Sequence, residues 1–347
     1  MKTRTDAPPA RAETAAAKSS AGRLLDIDRA KGFGIALVVW GHIAGAATAG
    51  APLWFYVSTA VIYQFHMPFF MYLSGFVYFY IDAPNRFLRA PLRFAGQRFD
   101  RLMVPFIAFA LIVVVGKYAA ARFGTVDDRV DTLAGGLAKV VANTPDNPSI
   151  SIWYLLVLFV YSVVTPVLYV LGRRGLAVIL LVGAAGWLWT LPEHFYLARI
   201  ARYYLFFGVG GLVAIHRHVV LAWMRRWWMP TLLIFAGLCY RFLGHPVALL
   251  VCGLASIPAL HGLFLRPFWR KDMLLLTLGA YSMSIYLMNT IFIGVAKILY
   301  PKLALTHGGW FTLFVGTIFV IGLVGPMAAR RLADASPRLR PVARYLH

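Results

Sequence analysis

Ten apolar runs, each approaching the roughly 20 residues a helix needs to cross a bilayer core, decide what this chain can fold into. They cover about residues 33–49, 53–81, 102–120, 152–171, 176–191, 203–215, 229–243, 247–265, 273–299 and 310–329, the sixth and seventh being short. The expected fold is all-α: a polytopic membrane helical bundle of about ten transmembrane helices. Composition agrees. Of 347 residues, 60% are hydrophobic and 14% charged, where a soluble domain carries roughly a quarter charged residues. A hydrophilic leader rich in Ala, Thr and Pro precedes the first run, which is not the form of a signal peptide. Residues 1–22 are expected to be a disordered cytoplasmic tail, 23–330 a transmembrane domain and 331–347 a basic cytoplasmic tail. No internal repeat is visible.

The net charge of +21 raises nucleic acid as a partner, but the arginines sit between apolar runs and not on a soluble face. The positive-inside rule accounts for them. With the N-terminus placed inside, 25 of the 34 Lys and Arg fall on the inner side, so both termini are expected in the cytoplasm and the chain in an inner or plasma membrane. No nucleic-acid partner is expected. Cys239 and Cys252 lie in apolar runs, where buried thiols are ordinarily packing residues. The longest outer segment, 121–150, holds Asp127, Asp128, Asp131 and Asp146 and is long enough to cover an outer entrance.

Ionisable groups inside a span are expensive and count as functional candidates by default. His42, about ten residues into the first run, is expected some 14 Å deep, near mid-bilayer. His66, about thirteen residues into the second, is expected roughly 20 Å from the opposite face, so the two can share a depth on antiparallel neighbours. A neutral imidazole takes a proton from a hydroxyl and returns it near neutral pH, which suits group transfer. Each histidine also has a plainer reading, as a hydrogen bond between helices. Pro68 is expected to bend its helix and free a carbonyl near His66, and Ser74 and Gly75 to let another helix approach closely. The histidines are scattered and no Cys/His ligand spacing occurs, so no metal is expected.

Two ordered motifs resemble the membrane acyltransferase 3 family, which O-acylates surface carbohydrates and includes fucose 4-O-acetylase-like members. The first is Asp28, Lys31 and Gly32, then Ile35 to Trp40 leading to Gly41-His42; the second is Phe65-His66-Met67-Pro68-Phe69-Phe70 with Ser74-Gly75. Further matches are Arg98, Arg101 and Pro105, then Trp153-Tyr154-Leu155, then Tyr203-Tyr204-Leu205-Phe206-Phe207-Gly208. The last is Gly279-Ala280-Tyr281-Ser282 with Ile285-Tyr286-Leu287-Met288-Asn289. The resemblance spans about residues 23 to 330. One departure stands out: Asn289 occupies a place where many members have His, and an asparagine carries no proton at neutral pH.

The resemblance implies transfer of an acyl group, acetyl foremost, from acyl-CoA to a hydroxyl of a cell-surface or lipid-linked carbohydrate. His42 would be the general base, helped by His66. Arginine suits the phosphates of coenzyme A through its bidentate fork. Arg98 and Arg101, at i and i+3, can point to one side of a helix, and are expected to hold the donor; Arg86, Arg89 and Arg93 read as topology and lipid-headgroup contacts. Asp28 and Lys31 either pair with each other or shape the donor entrance. Trp153, Tyr281, Ser282, Tyr286 and Asn289 would line the substrate site; for the aromatics the other reading is an interface belt. No local base or oxyanion motif makes Ser282 a nucleophile. Two other functions remain open: a transporter using His42 and His66 as a proton relay, and a family member without catalysis.

Overall fold

The computed structural model describes residues 24–45, 48, 51–124, 126–299 and 310–347; the tail expected to be disordered, 1–22, lies outside them. The chain enters on α1 (Leu25–Ile43), then α2 (Leu53–Tyr63) and α3 (His66–Tyr80), which divide the second apolar run at Gln64 and Phe65. Short helices α4 (Ala83–Arg89) and α5 (Pro91–Arg98) lead through a π-helical turn, Phe99–Met103, into α6 (Val104–Ala120). The polar connection holds α7 (Leu133–Ala142). There follow α8 (Trp153–Tyr169), α9 (Arg173–Ala185), α10 (Leu197–Ile215), α11 (Arg217–Arg226), α12 (Trp228–Arg241) and α13 (Ala248–Phe264). The ninth run is split into α14 (Leu274–Ala280) and α15 (Ser282–Leu299), before α16 (Phe311–Ala335) and the single turn α17 (Arg340–Ala343).

Every apolar run is thus occupied by helix. Among the described residues, five helical stretches are long and apolar enough to cross a membrane: Pro91–Ala120, Ile150–Tyr169, Leu197–Ile215, Ser282–Leu299 and Phe311–Ala335. The protein is an all-α membrane protein, and its one β feature among those residues is an isolated bridge between Asn143 and His194.

Two local expectations change. Helix α1 begins eight residues before its apolar run, because the polar first turns find partners inside the protein. Arg29 pairs with Asp272 at 3.7 Å, and Asp272 Oδ1 accepts the Leu275 N–H at 3.2 Å, capping the start of α14. His42 therefore lies one residue before the end of α1, about 26 Å along it, and not near its middle. Pro68 bends nothing: it is the third residue of α3, where first-turn N–H groups have no intrahelical acceptor anyway. The break comes ahead of it, at Gln64 and Phe65.

Glycine sets how close the inner helices come. A Cβ on Gly32 would sit 2.0 Å from the Leu275 carbonyl oxygen, and one on Gly279 would sit 2.1 Å from that of Asp28. Helices α1 and α14 are therefore in backbone contact on both sides of their crossing. Helices α3 and α10 repeat the device: a Cβ on Gly75 would meet the Phe207 carbonyl oxygen at 2.0 Å, and one on Gly210 that of Tyr72 at 2.2 Å. Small residues allow this approach where lipid offers no hydrophobic drive between helices. Buried hydroxyls add hydrogen bonds between helices, Tyr78 to the Ser162 carbonyl at 2.8 Å and Tyr161 to the Ile200 carbonyl at 2.6 Å.

The bundle has two distinguishable ends. At one, Asp28 meets Gly279, the Arg330 guanidinium donates to the Ala280 carbonyl at 2.8 Å, and the C-terminal segment docks: Tyr345 donates to Asp100 at 2.8 Å and Leu346 is buried. At the other lie Ala44, Gly45, Asp127 and the last turn of α15. Substituting Gly279→Ala should lower stability by about 1–3 kcal/mol through forced overpacking, read as a drop in thermal midpoint of detergent-purified protein. Gly294→Ala, with nothing within 4 Å of the added methyl, should be neutral or raise the midpoint through helix propensity.

Candidate active site

His42 and Asn289 meet. The His42 Nδ1 lies 2.6 Å from Asn289 Oδ1, and the amide orientation is decided by its other end, where Nδ2 donates to the carbonyls of Ile285 at 2.7 Å and Tyr286 at 3.0 Å. Only an N–H serves two carbonyl acceptors, so the atom facing the imidazole is the amide oxygen. The His42 Nδ1 must then carry the hydrogen, so that in the neutral ring the lone pair is on Nε2. Asn289 is fully buried, whereas His42 is half-buried. An acceptor that fixes one nitrogen of a histidine while the other stays basic is what proton transfer requires.

Below this pair lies a cavity of about 120 Å³, lined by Lys31, Ile35 and Val38 of α1, by Met67, Phe70, Leu73 and Ser74 of α3, by Tyr154 of α8, and by Ser282, Met283 and Tyr286 of α15. Its α1 residues continue at helical spacing to His42, since 31, 35, 38 and 42 share one face. On α15, residues 282, 286 and 289 do the same. The cavity and the His42–Asn289 pair therefore occupy successive levels between the same two helix faces. The lining is apolar apart from the Lys31 ammonium and four hydroxyls. Ser74 is hydrogen-bonded to the Tyr154 hydroxyl, and the Tyr286 hydroxyl accepts the Tyr154 N–H at 3.2 Å.

The other candidates fall around this axis. His66 opens α3, buried, with Nδ1 donating to the Ile62 carbonyl at 2.8 Å; its Nε2 is likewise the basic nitrogen. Tyr63 links the two histidines, its hydroxyl donating to the Gly41 carbonyl at 3.2 Å while its ring meets that of His66 edge-on at 5.0 Å. Asp28 and Lys31 pair at 4.0 Å. Trp153 stands outside the cavity lining, its ring tilted against that of Tyr203 at 4.9 Å and under the Arg199 guanidinium at 5.0 Å. Tyr281 also stands outside it, beneath Arg330 at 4.5 Å, with its hydroxyl accepting Arg331 Nε at 3.2 Å.

Arg98 and Arg101 do not sit on a regular α-helix. The π-helical turn begins directly after Arg98, and a widened turn displaces Arg101 from the position that a straight α-helix would give it. Arg98 is held over the rings of Phe94 at 5.1 Å and Tyr78 at 5.7 Å, while Arg101 is exposed. Neither lines the cavity.

Two polar groups escape a reading of local sequence. His261, with no exposed surface, donates from Nε2 to Asp26 Oδ2 at 2.9 Å and receives the Tyr72 hydroxyl on Nδ1 at 2.5 Å, tying α13, α1 and α3 together. Its partners are 235 and 189 residues away, so no spacing rule finds them. Lys297, 9% exposed, lies two turns beyond Asn289 on the same face of α15. A lysine inside a span is a recognisable signal.

A family model described as an acyltransferase domain matches residues 24–327, and the chain belongs to the membrane acyltransferase 3 family. No curated protein and no solved structure is similar enough to match it. The match takes in both histidine motifs, the cavity lining and Asn289.

Replacing Tyr72 with Phe strips the buried His261 of its Nδ1 donor, which should cost about 1–3 kcal/mol. A thermal melt in detergent reads it, with Tyr240→Phe, 86% exposed, expected to stay within about 0.5 kcal/mol of the parent.

Proposed function

We propose that the protein is an integral-membrane O-acyltransferase, moving an acyl group, acetyl foremost, from acyl-CoA to a hydroxyl of a cell-surface or lipid-linked carbohydrate. The observation that carries the reading is the Asn289 amide, which leaves His42 Nε2 as a base. The acceptor oxygen attacks the thioester carbonyl while its proton passes to Nε2. The C–S bond then breaks, the thiolate takes that proton from Nε2, and free thiol and ester are released with His42 neutral again. Since the proton returns to the leaving group, the site needs no further acid, and the position of Asn289 is suited by a residue that orients without titrating.

The donor side is the Asp28 end. Among the described residues Lys31 is the one cation in the cavity lining, and the apolar side chains of Ile35, Val38, Phe70 and Leu73 beside it suit an acyl thioester arm. Asp28 shapes that entrance through its pairing with Lys31. Arg98 and Arg101 add positive charge at the same end, close to Asp100 and the docked C-terminal segment. Ser282, Tyr286 and Asn289 face the reacting groups, with Trp153 and Tyr281 supporting from behind; His66 is a second basic imidazole beside Tyr63. The arginine distribution supports a reading in which this end faces the cytoplasm, where acyl-CoA is made, with both termini there and the protein in the inner membrane.

Purified protein with acetyl-CoA, water standing in for the sugar hydroxyl and thiol release followed, tests the reading, because a transporter releases none. His42→Ala should lower kcat by about 10²-fold or more, and Asn289→Ala by about tenfold to 10²-fold through loss of the fixed tautomer. Lys31→Met should raise KM for acetyl-CoA with kcat nearly unchanged, the mark of lost ground-state binding. Full loss of surface O-acyl esters is expected in cells carrying His42→Ala, and wild-type ester levels there would exclude His42 as the base.

A further inference from the structure

Lys297 belongs to α15, eight residues past Asn289 and so on the same helix face. The helix around it is apolar enough to span a membrane, where an ammonium is costly unless partnered. Its partners are specific. Nζ donates to the Ala44 carbonyl at 3.2 Å and to Asp127 Oδ2 at 3.0 Å. Ala44 follows directly on the end of α1, so the accepted carbonyl belongs to the group that a helix C-terminus leaves without intrahelical donors, where positive charge is also favoured.

The next residue is shaped to admit this pair. Gly45 has φ of +151°, a region that side chains rarely adopt. A Cβ there would lie 2.4 Å from Asp127 Oδ2 and 2.9 Å from Lys297 Nζ. Helix α15 thus grips the last turn of α1 at two points, through Asn289 at the His42 ring and through Lys297 two residues further on. Asp127 fastens the second grip from the polar connection before α7.

We infer that Lys297 is a positioning residue for acyl transfer: its ammonium, held by Asp127, pins the end of α1 and so keeps the His42 ring seated on Asn289. This rests on His42 acting as the base. Lys297 exchanges no proton and touches no substrate; it acts through the backbone of Ala44. A base displaced by about 1 Å loses on the order of 10²-fold in rate, so the effect belongs in kcat and not in donor binding, which takes place at the opposite end.

The test uses detergent-purified full-length protein and acetyl-CoA, with water standing in as the acyl acceptor. Lys297→Met should lower kcat for thiol release by about tenfold or more while KM for acetyl-CoA stays within about twofold. Lys297→Arg, which keeps a donor and a charge, should recover kcat to within about threefold of wild type. A second readout needs no activity: diethyl pyrocarbonate attacks unprotonated imidazole nitrogen, and peptide mass spectrometry gives its rate at His42. That rate should rise by about threefold or more in Lys297→Met as α1 is released. Wild-type kcat in Lys297→Met, a rise in KM with kcat intact, no recovery in Lys297→Arg, or an unchanged labelling rate would each overturn the inference. If wild-type protein releases no thiol, the acyltransferase reading falls instead, and the labelling rate alone decides whether Lys297 holds His42.

Discussion

Backbone contact between α1 and α14 is the constraint on which the site depends. Gly32 and Gly279 are the two points where it is made, each with the other helix's carbonyl in the space a side chain would fill. Helix α15 follows α14 after a single residue, so the position of α14 against Asp28 dictates where Ser282, Tyr286 and Asn289 face α1. Lipid supplies no hydrophobic force to hold such helices together. What holds them is close packing, and around it a set of paired polar groups, with Arg29 on Asp272 and Asp26 on His261.

This arrangement also explains why the motifs look as they do. The Gly following Lys31, the Ser-Gly after Pro68, the aromatic run ending near Gly210 and the late Gly279 all fall at the crossings of α1 with α14 and α3 with α10. They are packing residues. The chemistry rides on the residues between them. Asn289 fits the same division, since its amide spends two hydrogens on its own helix and offers only an oxygen to His42.

Helix content was legible in the sequence, because each apolar run is long enough to demand internal hydrogen bonding. Breaks within a run are not: the chain is apolar on both sides of Gln64-Phe65 and of Tyr281, and tertiary packing decides both. The place of His42 along its helix differs from the expectation for a related reason. The onset of apolarity at Phe33 marks where side chains lose their polar partners, whereas the helix starts at Leu25 because Asp26 and Arg29 find partners within the bundle. His42 and Asn289 could be nominated from their motifs, but their meeting across 247 residues could not. At Arg98 and Arg101 the spacing is sound for an α-helix, but the chain makes a π turn there, which no local sequence pattern announces. Lys297 was hidden among the basic residues that report topology, although its place inside an apolar helix distinguishes it.

Helix α15 carries its polar residues in phase: 282, 286, 289 and 297 share a face over more than four turns. Each residue of an α-helix advances the face by about 100°, so the register between the cavity, the imidazole and the Ala44 carbonyl is a matter of counting. A single-residue insertion or deletion between Ser282 and Lys297 would rotate one half of the ladder by about 100° away from α1, so the interval is closed to change in length.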